Sequence, residues 1–244
     1  MTIQLFITCL VDSFFPKTGL AMVDVLNHLG VDVEFPSEQT CCGQPAFNAG
    51  LRLDARQRAK HTIQVFEASS HDIVAPSGSC VGMLRHGYLE LFADDEIWLP
   101  RANALAKRTY EFTEYLVDVL GITDVGARWD GVLTYNPSCH LLRDLGVDRQ
   151  PRALLANVQG ATIVDLPHAE ECCGFGGVFS VEHPEISTER LNRKIENLEA
   201  SEAPTLVLAD TGCRMNIGGG LSKQKKTQKV VHIAEVLNKR QNDS

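Results

Sequence analysis

The chain has 244 residues, 44% of them hydrophobic and 22% charged, with a net charge of −8. That is enough for one large domain or two of about 120 residues, and too apolar for a disordered segment. The acidic balance excludes a nucleic-acid-binding face, because affinity for phosphate backbones needs basic residues.

In chain order, residues 3–9 form a β-rich run ending at Cys9. Leu20, Val23, Leu26 and Leu29 then mark the apolar face of a helix, with Thr18 as N-cap and Gly30 as stop. A strand over 31–35 closes at Pro36 and leads to Cys41-Cys42-Gly43. A charged helix is expected over 53–68, and a third strand from Asp72 leads to a small turn ending at Cys80. Residues 81–109 have no counterpart later in the chain and read as helical excursions packed on a sheet. Residues 112–120 read as a short amphipathic helix, and 123–129 as a linker.

The same succession then begins again. A strand over 132–139 ends at Cys139, and a helix carries Leu154, Leu155 and Val158 between Pro151 and Gly160. A strand over 161–166 closes at Pro167 before Cys172-Cys173-Gly174, and a charged helix covers 187–200. The third strand, from Thr205, leads to Cys213, and residues 231–238 repeat the amphipathic tail. The lysine-rich run 223–229 reads as a solvated loop.

All eight cysteines take part in this repeat. The first set is Cys9, 31 residues, Cys41-Cys42-Gly43, 36 residues, Cys80; the second is Cys139, 32 residues, Cys172-Cys173-Gly174, 38 residues, Cys213. A duplication with a period of about 130 residues accounts for the pattern. It divides the chain into a first cysteine-rich repeat, 1–125, and a second, 126–244. Alternating strands and helices predict an α/β fold: two tandem βαβαβ-type repeats with mainly parallel sheets, related by a pseudo-twofold axis. The cysteines would follow the C-terminal ends of successive strands, where open α/β sheets place their ligands.

Three chemistries use four cysteines. Disulfides suit an oxidising compartment, and adjacent cysteines bridge poorly. The N-terminus lacks the positive region of a signal peptide, and no stretch approaches the ~20 apolar residues of a membrane span, so a cytoplasmic chain without direct membrane insertion is expected. Zinc takes four thiolates, but commonly from pairs separated by two to four residues. An iron–sulfur cluster accepts thiolates from separated loops, and adjacent cysteines that point apart suit its several metal atoms. Glycines 43, 78, 174, 176, 177 and 212 are candidates for close backbone approach to such a cluster.

These residues carry a resemblance. The two Cys…Cys-Cys-Gly…Cys sets resemble the duplicated cysteine-rich domain of the heterodisulfide reductase superfamily. Thr8-Cys-Leu-Val-Asp12, Cys41-Cys-Gly-Gln-Pro-Ala46, Pro76-Ser-Gly-Ser-Cys80, Cys172-Cys-Gly-Phe-Gly-Gly177 and His232-Ile-Ala-Glu-Val-Leu237 are similar to the lactate utilization protein A family. The resemblance runs essentially the whole length. It implies an oxidoreductase subunit that transfers electrons during L-lactate oxidation to pyruvate. Its partners would be a ferredoxin-like iron–sulfur protein and a third lactate-utilization subunit. The cofactor would be one or two iron–sulfur clusters, of the [4Fe–4S] type, held by Cys9, Cys41, Cys42, Cys80, Cys139, Cys172, Cys173 and Cys213.

One departure narrows what carries over. The superfamily pattern ends in Cys-x-x-Cys, whereas Ser77 and Asp210 stand at the first of those positions here. Four thiolates per half suit a conventional cluster, with Asp210 as a further candidate ligand. A thiol/disulfide reductase of the heterodisulfide type and a zinc-stabilised scaffold are the alternative readings.

Among other candidates, His140 and His168 lie near cysteines as possible ligands or proton donors, and Asp12 and Arg143 as groups that could tune a cluster or hold a carboxylate. Solvated or supporting roles compete for all four. The glycine runs at 174–177 and 218–220 do not match a dinucleotide-binding turn, and no flavin or nicotinamide site is expected.

Overall fold

The computed structural model describes residues 1–240. Two four-stranded, all-parallel sheets stand in succession. In the first half, β1 (Thr2–Leu5) leads through α1 (Cys9–Phe14) and α2 (Pro16–His28) to β2 (Asp32–Glu34). Then come α3 (Gln44–Asn48), α4 (Arg52–Phe66), β3 (Asp72–Ala75) and α5 (Gly78–Gly82). A π-helical turn, Met83–Gly87, joins α5 to α6 (Tyr88–Leu91), and α7 (Trp98–Ala106) precedes β4 (Thr109–Glu111) and α8 (Phe112–Glu114).

In the second half, β5 (Arg128–Asn136) is followed by a π-helical turn, His140–Asp144, then α9 (Arg149–Ala156) and β6 (Gln159–Val164). The chain continues through α10 (Phe179–Glu182), α11 (Pro184–Ala200), β7 (Thr205–Leu208), α12 (Thr211–Lys223), β8 (Lys229–His232) and α13 (Ile233–Asn238). The sheet orders β2-β1-β3-β4 and β6-β5-β7-β8 are the same path taken twice.

Three expectations are refined. Helix α2 begins at Pro16, so Thr18 lies buried within its first turn and is not its N-cap, and Leu20 of the expected apolar face is exposed. Each sheet has a fourth strand, β4 or β8, where the sequence reading had only the amphipathic tail. Gly160 does not stop a helix: it lies inside β6 at φ +77, beside the irregularity in β5 pairing between Arg128 and Gly131.

Apolar spacing explains how the halves join. On α2, Met22, Val25 and Leu26 are fully buried, and α2 packs on α13, whose Ile233, Val236 and Leu237 are also fully buried. Burying each such side chain contributes on the order of 2 kcal/mol. One core therefore runs from the first repeat into the second. A separate cluster lies beneath α4, where Ala55, Ala59, Ile63 and Phe66 fall on one helical face. Residues 81–109 cover that face: α6 and α7 pack on α4, and Trp98 stacks on Phe92 with ring centroids 5.9 Å apart.

Candidate metal centre

The eight cysteines come together. Cys9 opens α1 just beyond β1, Cys41 and Cys42 follow β2, and Cys80 lies in α5 beyond β3; Cys139, Cys172, Cys173 and Cys213 repeat the arrangement. All eight are free thiols, and all line one cavity of about 190 Å³ between the halves. Internal spacing foretold two sets, but not that both face the same space.

Adjacent cysteines take different partners. The Cys9 and Cys41 sulfurs approach to 3.7 Å, and those of Cys42 and Cys80 to 3.5 Å. In the second half Cys139 interacts with Cys172, while Cys173 lies 3.2 Å from Cys213. Each set has an outer pair that reaches solvent and a buried inner pair. Among the described residues, no three His, Cys, Asp or Glu side chains gather as a shell for a single ion.

Hydrogen bonding polarises the thiols. Bonds from Cys42 and Cys9, helped by the Gly43 N–H and by Arg58, hold Cys41 far below the ordinary thiol range. Bonds from Cys139 and Cys173, with Gly174 N–H and Arg190, do the same for Cys172. Cys9 and Cys42 are pushed up, first by hydrogen bonding to Cys41, and Cys139 and Cys173 first by hydrogen bonding to Cys172.

The Cys-Cys-Gly turns need glycine because the chain passes through left-handed conformations, φ +85 at Gly43 and +87 at Gly174. A Cβ at Gly174 would also lie 2.4 Å from the Ser187 carbonyl oxygen. Gly78 and Gly212 have another task. A Cβ at Gly78 would fall 2.9 Å from Leu141 of the other half, and one at Gly212 2.9 Å from Phe175, so these glycines admit close packing.

Supporting polar residues that the sequence reading missed fix the loops. Gln39 accepts from Ile7 N at 2.7 Å and donates to the carbonyls of Leu5 and Pro36, tying the Cys41 loop to the end of β1. Tyr88 donates to the Cys42 carbonyl at 2.9 Å, and Asn216 donates to that of Cys173 at 2.8 Å. A glutamine or asparagine in a loop gives little signal until its partners are known.

Ser77 and Asp210 meet across the halves. Asp210 Oδ2 accepts from Ser77 Oγ and Ser79 N, both at 3.0 Å, and Oδ1 accepts from Gly212 N and Cys213 N at 2.9 and 3.4 Å. Both oxygens of Asp210 are thus engaged as an N-cap and a latch between halves. His140 lines the cavity and bonds Asp144. Exposed His168, Asp12 and Arg143 do not line it; Arg143 donates to the Glu170 carbonyl at 2.9 Å.

The donor set fits an iron–sulfur cluster. Soft thiolates are its usual ligands, and small or polar groups surround its sulfides. Thr8 Oγ1 and Ser138 Oγ, each just before the first cysteine of its set, are buried without a hydrogen-bond partner among the described residues. A sulfide acceptor would satisfy such hydroxyls.

Comparison with known proteins agrees with this geometry. A family model described as a cysteine-rich domain (CCG) matches residues 3–85 and 133–218. Lactate utilization protein A of Exiguobacterium sp. is 51% identical over 97% of this chain and 96% of its own, and that of Geobacillus sp. (strain WCH70) is 50% identical over 98% and 100%. A solved structure titled as a putative Asp/Glu racemase from Yersinia pestis covers 98% of this chain and 96% of its own, at 14% identity and a TM-score of 0.39, too slight a likeness to carry an argument. With both cysteine sets inside the matched segments, the chain belongs to the CCG cysteine-rich domain family and, within it, to the lactate utilization protein A family.

Proposed function

We propose that this chain is the iron–sulfur electron-transfer subunit of a system that oxidises L-lactate to pyruvate. The observation that carries this reading is the single cavity lined by all eight thiols. Bound there, iron–sulfur clusters would supply one-electron redox chemistry. Cys9, Cys41, Cys42 and Cys80 would hold one cluster, and Cys139, Cys172, Cys173 and Cys213 the other.

The rest of the lining favours a carrier over the site of lactate chemistry. Lactate and pyruvate are carboxylates, best held by a guanidinium or ammonium group. Among the described residues lining the cavity there is no arginine or lysine. The two electrons and two protons released when lactate becomes pyruvate are therefore assigned to a partner subunit. This chain's part is to take electrons singly and pass them on.

The outer cysteines reach solvent, with Cys9 exposed and Cys41, Cys139 and Cys172 half-buried. Contact there with a ferredoxin-like iron–sulfur protein and a third lactate-utilization subunit completes the reading. Among the described residues no helix is long and apolar enough to cross a membrane.

The test is anaerobic purification followed by iron, sulfide and zinc analysis and EPR. About eight irons per chain are expected if both sets hold four-iron clusters. Stoichiometric zinc without acid-labile sulfide would sink the proposal. A deletion strain should lose growth on lactate and regain it with the wild-type gene.

A further inference from the structure

The two cysteine sets have matching frames and different charges. A Cβ at Gly43 would meet Arg58 of α4 at 3.1 Å, and one at Gly174 would meet Arg190 of α11 at 3.1 Å, so the two arginines are equivalent. Both act on the cysteine beside them, Arg58 on Cys41 and Arg190 on Cys172. One turn further along each helix the equivalent positions are Thr62 and Lys194. Both are buried, Thr62 at 1% exposure and Lys194 at 0%. One is neutral and the other carries an ammonium.

Lys194 Nζ donates to the backbone carbonyls of His168 and Ala169, at 3.3 and 2.9 Å. These carbonyls begin the loop that presents Cys172 and Cys173, and His168 is held there at φ +48, a left-handed conformation unusual outside glycine. Both bonds are to neutral groups. Burial holds the Lys194 ammonium below its ordinary range; the groups whose fields oppose this are, in order, Cys173, Cys213, Glu171 and Cys172, and Glu171 is already paired with Arg193. A buried ammonium without a counter-charge is costly. The inner sulfurs of the second set, Cys173 and Cys213, would supply that charge when they ligate a metal centre.

Of the other charged groups, Arg58 and Arg190 match, while the Asp210 carboxylate, bound by Ser77 and Ser79 of one half and Gly212 and Cys213 of the other, also acts on Cys139 and so works against Lys194 on the second set. A fixed positive charge behind one centre stabilises its reduced, more negative state, most strongly where water is excluded.

We propose that Lys194 is a potential-setting residue that makes the second cysteine set the more easily reduced of the two, so that an electron entering the chain comes to rest there. This rests on the iron–sulfur reading above. In the internal step, the centre held by the first set loses one electron and the centre held by the second gains it, with no bond formed or broken. The electron is supplied by a reduced iron–sulfur partner protein.

The test is an EPR-monitored redox titration of the anaerobically purified full-length protein. Wild type should show two reduction waves. Cys172→Ala should abolish the wave at higher potential, and Cys41→Ala the one at lower potential. Lys194→Met should move only the higher wave, to lower potential, while Lys194→Arg keeps it near the wild-type position. The proposal is overturned if Cys172→Ala removes the lower wave, if the wild-type waves coincide, or if Lys194→Met leaves both waves in place or moves them equally. Should Lys194→Met fail to fold, the wild-type and cysteine-variant titrations still decide the order. A preparation without iron or sulfide overturns the iron–sulfur reading itself, a result distinct from two clusters in the wrong order.

Discussion

Glu111 and His232 occupy the same place in the two halves, each ending the fourth strand and capping the following helix. They should impose opposite pH dependences on stability. Glu111 Oε2 accepts from Thr113 N at 2.7 Å and from Glu114 N at 3.2 Å, while its Oε1 is buried with no partner among the described residues. Burial pushes this carboxyl from its ordinary 4.5 up to about 7, against the hydrogen bonds that favour the anion. His232 Nδ1 accepts from Ala234 N at 3.2 Å, and Nε2 donates to the Pro76 carbonyl of the other half at 2.9 Å. Burial pushes the imidazole from its ordinary 6.5 down to about 4, although Glu235 and Asp210 pull it upward.

The signs follow from proton binding. Between the folded and unfolded pKa values of His232 the unfolded chain holds the extra proton, so stability falls as pH drops from 6.5 towards 4. For Glu111 the folded chain holds it, so stability falls as pH rises from 4.5 towards 7. Each slope is about 1.4 kcal/mol per pH unit, and each full effect about 3 kcal/mol. From pH 4.5 to 6.5 the two contributions cancel in the wild type. Glu111→Gln should leave a slope that rises with pH, and His232→Asn, which keeps an acceptor for Ala234 N, a slope that falls. Urea unfolding followed by circular dichroism at half-unit pH steps, compared with wild type at each pH, measures both. Variant curves parallel to the wild-type curve would refute the assignment of a protonated Glu111 and a neutral His232.

Three further predictions concern the cysteine loops. Gly174→Ala, at φ +87 and with its Cβ 2.4 Å from a backbone oxygen, should cost upwards of about 3 kcal/mol; Gly50→Ala, at φ +74 in open space, should cost only about 1. Equal urea midpoints for the two variants would dismiss the close-approach argument. Asp210→Ala strands four donors and should lower stability by about 3 to 5 kcal/mol, whereas folded Asp210→Asn should keep its iron content; loss of iron from that variant would make Asp210 a ligand. Gln39→Ala leaves Ile7 N unpaired and frees the Cys41 loop, at a cost of about 1 to 3 kcal/mol. In metal-free protein it should also make Cys9 and Cys41 alkylate faster, and an unchanged rate would deny Gln39 its bracing role.

What could be read from the sequence was what is local or repeated. Strands β1, β3, β5 and β7 announce themselves as β-rich runs, helix α2 through apolar spacing and helices α4 and α11 as charged stretches of helical length, and the duplicated Cys-Cys-Gly fixes which loops carry sulfur. β4 and β8 escaped because they span only Thr109–Glu111 and Lys229–His232 and run directly into helices, so their apolar residues merge with a helical pattern. Gly160 misled because glycine stops helices and also permits an irregular strand.

The site's more consequential features depend on what one half does to the other, which spacing within a repeat does not encode. Gly78 resembles a residue making room for a cluster, but the space goes to Leu141 of the opposite half. Asp210, standing where a fifth cysteine would be, resembles a spare ligand until its four hydrogen bonds are placed. Lys194, on a charged helix, reads as a solvated face, but its ammonium turns inward to the His168 and Ala169 carbonyls. In the first two cases the repeat supplies the position and the interface between repeats supplies the role, while Lys194 acts on a loop of its own half. Duplication made two like frames. Substitutions at equivalent positions, Thr62 against Lys194 and Ser77 against Asp210, then gave the shared cavity two unlike sides.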